Sequence, residues 1–169
     1  MLVLAVLIGY YLALLALVVG LGVLLAQGAP FVRSRPETIQ RMIALATVQP
    51  GEKAADLGAG DGSVVIALAL AGAEAHGFEL NPLLVWRARR NIGRAGLQDR
   101  AMIHWKNFWK ADLSLFDVIT VFGIPHIMGR LEKKLRRELK PGTRVVSNAF
   151  RFPTWQLTGE DHSVYLYRL

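Results

Sequence analysis

The residues with the most chemical content lie in one turn, Ala55–Asp56–Leu57–Gly58–Ala59–Gly60–Asp61–Gly62. Gly58, Gly60 and Gly62 let a backbone bend sharply and approach a ligand closely. A helix opening at such a turn offers free N–H groups. Two cofactor classes use this kind of loop. Dinucleotide sites favour GxGxxG, with the pyrophosphate on the helix N-terminus. Here the spacing is GxGxG, with Asp56 before it and Asp61 inside it. Two carboxylates repel a pyrophosphate and suit the ammonium and sulfonium charges of S-adenosylmethionine (SAM), so the pattern favours SAM over NAD. Glu79 follows roughly twenty residues on, where an acidic side chain accepts hydrogen bonds from ribose hydroxyls.

Three further segments carry candidate contacts. Asn107–Phe108–Trp109 offers an amide to an adenine edge and a ring to cover it; a surface turn over a packed aromatic is the equal alternative. Phe122–Gly123–Ile124–Pro125 shapes a narrow apolar passage, and His126 beside it reads as a helix-start residue rather than a base. Phe150–Arg151–Phe152–Pro153–Thr154–Trp155 is an aromatic run that walls an acceptor site, plugs the face left by a missing helix, or does both. Cofactor contacts are expected from Asp56, Gly58, Ala59, Gly60, Glu79, Leu80, Asn81, Asn107, Phe108 and Phe122. Substrate contacts are expected from Glu37, Phe122, Gly123, Pro125, Phe152, Pro153 and Trp155, and catalytic roles from Asp61, Pro125 and Trp155.

The elements that must position these residues follow from pattern. Ser34 or the Pro36–Glu37–Thr38 step starts a helix with Ile39, Met42, Ile43, Leu45 and Ala46 on a broad apolar face, ended by Gln49–Pro50–Gly51. Strands are expected at Lys53–Leu57, Ala75–Leu80, Ala101–Trp105, Phe116–Phe122, Arg144–Asn148 and Ser163–Arg168, the last after a turn at Thr158–Asp161. Helices are expected at Asp61–Ala71, Pro82–Ala95 and Ile127–Leu139, with Pro at the first turn of the second and Gly96 past its end. Such alternation predicts an α/β, Rossmann-like fold: a mainly parallel sheet with helices on both faces and an antiparallel C-terminal strand. Ligands in such sheets bind outside the carboxyl ends of the strands.

Composition excludes other chemistry. The chain of 169 residues has no cysteine, and its four histidines are scattered. Thiol nucleophiles, disulfide scaffolds and iron–sulfur clusters are out, and no metal site is expected. All 20 Lys and Arg and all 13 Asp and Glu lie from Arg33 onward, so the net charge of +7 belongs to that part. Arg87, Arg89, Arg90 and Arg94, and Arg130, Lys133, Lys134, Arg136 and Arg137, read as solvated helix faces, with anionic lipid headgroups as the alternative. No nucleic acid partner is expected.

Residues 1–26 are apolar throughout, long enough for the about 20 residues of a membrane span. The expectation is one transmembrane helix at 1–26, a linker at 27–36 and a catalytic domain at 37–169. Arg33, Arg35 and Arg41 put that domain in the cytoplasm by the positive-inside tendency, giving a single-pass membrane localisation.

Longer stretches resemble one known family. They are PFV at Pro30–Val32, RPETIQRMIALA at Arg35–Ala46, ADLGAGDG at Ala55–Gly62, GFELNPLLVWRAR at Gly77–Arg89, NFWK at Asn107–Lys110, FGIP at Phe122–Pro125, LEKKLRREL at Leu131–Leu139 and FRFPTW at Phe150–Trp155. Together they resemble the seven-β-strand, class I SAM-dependent lysine methyltransferases that include the mitochondrial ATP synthase c-subunit and adenine nucleotide translocase enzymes. The resemblance implies methylation of a lysine in a protein substrate, with a membrane protein as one possible target, and SAM held by Asp56, Gly58, Gly60, Glu79 and Asn107. Two positions depart from the family pattern: Ser63 stands where Arg is usual, and Asn107 where Asp is usual. A lysine nucleophile must shed its proton, and an apolar pocket of Phe122, Pro125, Phe152 and Trp155 would favour the neutral amine. Asp61 or Glu37 would accept a hydrogen bond from it. The alternatives are a small-molecule or lipid N-methyltransferase on the same fold, and a non-catalytic SAM-binding module tethered to a membrane.

Overall fold

The computed structural model describes Leu2–Gln27 and Phe31–Leu169, with Leu2, Ala5 and residues 21–27 described by backbone alone. Among these residues, five α-helices and seven strands follow in chain order. Helix α1 spans Leu2–Gln27 and α2 spans Pro36–Ala46. Then come β1 (Lys53–Leu57), α3 (Ser63–Leu70), β2 (Glu74–Glu79), α4 (Pro82–Arg94) and β3 (Ala101–Trp105). The chain continues through β4 (Val118–Val121), α5 (Pro125–Glu138), β5 (Arg144–Asn148), β6 (Gly159–Asp161) and β7 (Val164–Arg168).

The membrane reading is corrected. Among the described residues no helix is long and apolar enough to cross a membrane. The single-pass localisation with a cytoplasmic catalytic domain is therefore withdrawn. Met1, and Gly28, Ala29 and Pro30 of the expected linker and PFV segment, lie outside the described residues.

The strands form one sheet in the order β3-β2-β1-β4-β5-β7-β6. The first five are parallel; β7 runs antiparallel to β5 and β6 antiparallel to β7. Six strands were expected. The seventh comes from the segment read as a turn: Gly159–Asp161 pairs with Val164–Leu166, and His162 closes the hairpin at φ 55. Three residues are too few for an alternating pattern, so only pairing with β7 defines this strand.

Alternation along each strand divides the core into two layers. Ala54, Val118, Val146, Val164 and Leu166 face α2, α3 and α4, packing with Met42, Val65, Leu68, Val85 and Ile92. Ala55, Leu57, Ile119, Val121, Val145 and Tyr167 face α5 and the aromatic segment, packing with Met128, Leu131, Leu135, Phe152 and Trp155. Local chemistry sets the helix ends. Asn81 caps α4 by accepting from the Leu83 N–H at 2.9 Å, with Pro82 at its first position. Thr47 ends α2 in the left-handed region, and buried Arg144 from β5 donates to the freed carbonyls of Ala46 (2.9 Å) and Thr47 (2.8 Å). Its guanidinium also pairs with Glu52.

From β1 the chain winds outward through α3, β2, α4 and β3. It then returns across residues 106–117 to set β4 on the other side of β1. This reversal of strand order opens a crevice at the carboxyl ends of β1 and β4, where a ligand fits.

Candidate functional site

A cavity of about 320 Å³ lies at that reversal, lined by the glycine loop, the ends of β1, β2 and β4, and the first turn of α4. The size suits a nucleoside-sized ligand. Three carboxylates enter it.

Asp56 is buried, at 5% exposed. Strand register sets it beside Thr120 of β4, whose hydroxyl donates to Asp56 Oδ1 at 2.7 Å. Burial pushes the Asp56 carboxyl up to about 7; the Thr120 hydrogen bond opposes this, and the charges of Glu79 and Asp61 add to it. A cation entering the cavity would restore the charged form.

Glu79 accepts three backbone hydrogen bonds: from Gly60 at 2.9 Å, and from Leu80 and Asn81 at 2.8 Å each. It thereby ties the glycine loop to the end of β2. A carboxylate has about four acceptor positions, so one remains for a ligand hydroxyl.

Asp61 is 3% exposed. Its Oδ1 accepts from the Ser63 hydroxyl (2.6 Å) and N–H (3.2 Å). Its Oδ2 is buried without a hydrogen bond, although Arg33 Nε stands within ion-pair reach at 3.1 Å. The two observations agree once orientation is considered: the arginine supplies charge without an aligned N–H. An orphaned buried acceptor of this kind invites a cationic donor.

The segment before α2 forms the outer wall. Phe31, Val32, Arg33 and Ser34 line the cavity. The Phe31 ring lies so close against Gly60 that a Cβ there would overlap it. Gly60 also has φ 55, which a side chain rarely adopts.

Residues 56–159 match the family described as the ANTKMT methyltransferase domain. The chain belongs to that family.

Its relatives include the ATP synthase c-subunit lysine N-methyltransferase of Homo sapiens, 39% identical over 134 residues, 78% of this chain and 57% of that protein. The protein-lysine N-methyltransferase of Saccharolobus islandicus (strain REY15A) is 36% identical over 148 residues, 82% of this chain and 92% of that one. Among solved structures, an RNA methyltransferase from Salinibacter ruber in complex with S-adenosyl-L-homocysteine is 34% identical. It has a TM-score of 0.76, with 81% of this chain and 92% of that chain covered. This chain spans only between a half and two thirds of the human, mouse and rat relatives it matches (57, 54 and 62%). The fold is that of the class I SAM-dependent methyltransferases.

In this methyltransferase domain the cavity brings together Asp56, Gly58, Ala59, Gly60, Asp61, Glu79, Leu80, Asn81, Phe108 and Phe122. The other expected site residues lie outside that cavity. Phe152 and Trp155, at 4% and 8% exposed, pack edge-on and tilted against Tyr167 in the core, and the Trp155 indole donates to the Arg168 carbonyl at 3.1 Å. They fill the space of the helix absent between β5 and β6, which is the plug reading of that segment. Pro153, between them in the chain, is exposed and lies against the Gly129 position of α5. Thr154 is held by buried Glu132 through both its N–H (3.1 Å) and its hydroxyl (2.5 Å). Glu37 is exposed in the first turn of α2, and Pro125 is exposed as the first residue of α5. Gly123 packs against the Met128 sulfur. Asn107 caps the short 3-10 helix Phe108–Lys110, accepting from the Trp109 N–H at 3.0 Å, while Phe108 alone of that segment reaches the cavity.

Sequence reading missed Phe31, Arg33, Met42, Lys106 and Thr120. Thr120 carries the one hydroxyl in an otherwise apolar strand, which is a signal that it meets something polar. Phe31 and Arg33 sit in a segment with no periodicity, so no local pattern assigned them to the cavity.

Proposed function

We propose that this domain binds SAM and transfers its methyl group to the ε-amine of a lysine in a protein substrate. The observation that carries the reading is the gathering of Asp56, Asp61 and Glu79 around one glycine loop at the carboxyl ends of β1 and β2. The activities for which the human and archaeal relatives are named support the lysine acceptor. The catalytic unit is residues 37–169, with Phe31–Ser34 covering its cavity.

The residues present fit the donor. Glu79 would take one of its hydroxyls, Asp56 and the Asp61 oxygen without a hydrogen bond its cationic end, and Phe108 and Phe122 its flat and apolar surfaces. SAM supplies a methyl group already activated by a sulfonium. The protein's tasks are then position and deprotonation. Holding two reactants in line is worth roughly 7–11 kcal/mol. A free lysine of pKa about 10.4 costs about 4.6 kcal/mol to deprotonate at pH 7. Val121, Phe122 and Ile127 line the cavity at the end of β4. An apolar wall of this kind disfavours the ammonium form, since desolvation lowers a lysine pKa by up to 3–5 units. No base is needed if the proton leaves to water before the amine enters.

A second reading, RNA methylation, is favoured by the 34% identity to the Salinibacter ruber RNA methyltransferase. One experiment separates the two. Cells lacking this gene are fractionated and incubated with the purified protein and methyl-labelled SAM. Label is expected in protein, at lysine by mass spectrometry, and Asp56→Ala is expected to abolish it together with SAM binding in calorimetry. Label in RNA, or in the organic phase, would overturn the lysine reading; full SAM affinity in Asp56→Ala would overturn the cofactor site.

A further inference from the structure

The outer face of α4 carries positive charge that no carboxylate among the described residues answers. The helix has the sequence PLLVWRARRNIGR, with Val85, Ala88 and Ile92 buried. Opposite them stand Leu83 (76% exposed), Trp86 (62%) and the exposed side chains of Arg87, Arg90 and Arg94. Arg89 turns back to donate to the Ile103 carbonyl at 2.8 Å. The other three arginines have no carboxylate within ion-pair reach among the described residues, and α4 itself has no acid. Helix α5 differs. There Lys134 and Arg137 pair with Glu138, Arg136 pairs with Glu132, and Arg130 lies over Trp109 at 4.3 Å. Carboxylates therefore answer most of the charge on α5 and none of that on the outer face of α4.

The patch has an apolar centre beside the cavity. Trp105, 66% exposed at the end of β3, is pinned next to the first turn of α4 by its indole N–H, which donates to the Leu80 carbonyl at 2.9 Å. That same turn gives Leu84 to the cavity wall and Leu83 to the outside.

We propose that this face docks an acidic segment of the protein substrate, with apolar side chains against Leu83 and Trp105 and carboxylates on Arg87, Arg90 and Arg94. The inference rests on the lysine reading above. Charge complementarity selects the partner. The chain carries +7 and the target lysine is itself cationic, so the two repel unless the substrate brings acid nearby. A single-stranded nucleic acid fits less well. Base binding uses several open aromatic faces in succession; here Arg90 covers the Trp86 ring at 5.5 Å, which leaves Trp105 as the uncovered ring of the patch.

The test uses two fluorescein-labelled peptides of equal length, each with one lysine. One is flanked by Glu and Leu, the other by Ser and Leu. Anisotropy titration at low salt is expected to give the acidic peptide about 10-fold tighter binding to the wild-type protein, the scale of a few exposed ion pairs. The preference is expected to vanish in R87E/R90E/R94E and to shrink in the neutral R87Q/R90Q/R94Q, with SAM affinity unchanged in both. Equal binding of the two peptides, an undiminished preference in the charge-reversed protein, or displacement of the acidic peptide by oligouridine would overturn the proposal. Methyl transfer scored on the same peptides keeps the two readings apart. A retained preference without methylation sinks the lysine assignment alone; methylation without a preference sinks the docking face alone.

Discussion

At the scale of single residues, Asp56 decides most. Its carboxyl is raised from 3.8 to about 7 because burial outweighs the Thr120 hydrogen bond. The folded state thus holds this proton more tightly than the unfolded chain. The resulting stability is full below about pH 4 and is lost as pH rises through about 7. Asp56→Asn removes the titration. Its melting temperature is expected to exceed that of the wild type above pH 7 and to fall less between pH 5 and 8, while SAM binding is lost. Thermal melts across pH check this, and parallel pH curves for the two proteins would refute the raised carboxyl. The exchange of stability for binding is what a preorganised site costs. Asp61 belongs to the same logic, with one oxygen satisfied by Ser63 and the other beside Arg33 without a hydrogen bond.

At the scale of elements, the turn after β5 holds strain. Ala149 has φ 68 and donates its N–H to the Ser163 carbonyl at 2.7 Å, which fixes the crossing from β5 toward the aromatic plug. A left-handed alanine costs about 1–2 kcal/mol, whereas glycine loses about 0.4–1 kcal/mol of that gain through the unfolded chain. The strain term is larger. Ala149→Gly is therefore expected to stabilise by about 0.5–1 kcal/mol, a rise of about 2–3 °C in a domain this size. Calorimetric melting checks it, and a lowered midpoint would show that the turn is not strained. The helix ends tell a related story. Pro82, Asn81 and Gly96 mark α4 within its own sequence, whereas α2 depends on Arg144, which lies about a hundred positions away in the chain.

At the scale of the whole molecule, the sheet has one layer of helices on one face and α5 with an aromatic plug on the other. Trp155 belongs to that plug. Trp155→Ala is expected to cost about 3–5 kcal/mol, as large core truncations do, and to leave the pH–rate profile of the folded fraction unchanged. Denaturant unfolding with a pH–rate series checks both. Unaltered stability with a shifted profile would return Trp155 to the acceptor wall.

Much of this was legible along the chain, because it is local. The glycine spacing, the two aspartates beside it and the glutamate ending the next strand are each fixed by neighbours within a few residues, and strand and helix periods follow from burial of one face. These determined the sheet, the loop and the class of cofactor. What depends on pairing distant segments was not legible. Only the parallel register of β1 and β4 puts Thr120 against Asp56. Only the fold sets Phe31 on Gly60 and Arg33 beside Asp61, and only the missing helix after β5 turns Phe152 and Trp155 inward. An aromatic run has the same composition whether it faces a ligand or a core. Which face it takes is settled by the space the other elements leave, and that space exists only once the chain has closed around it.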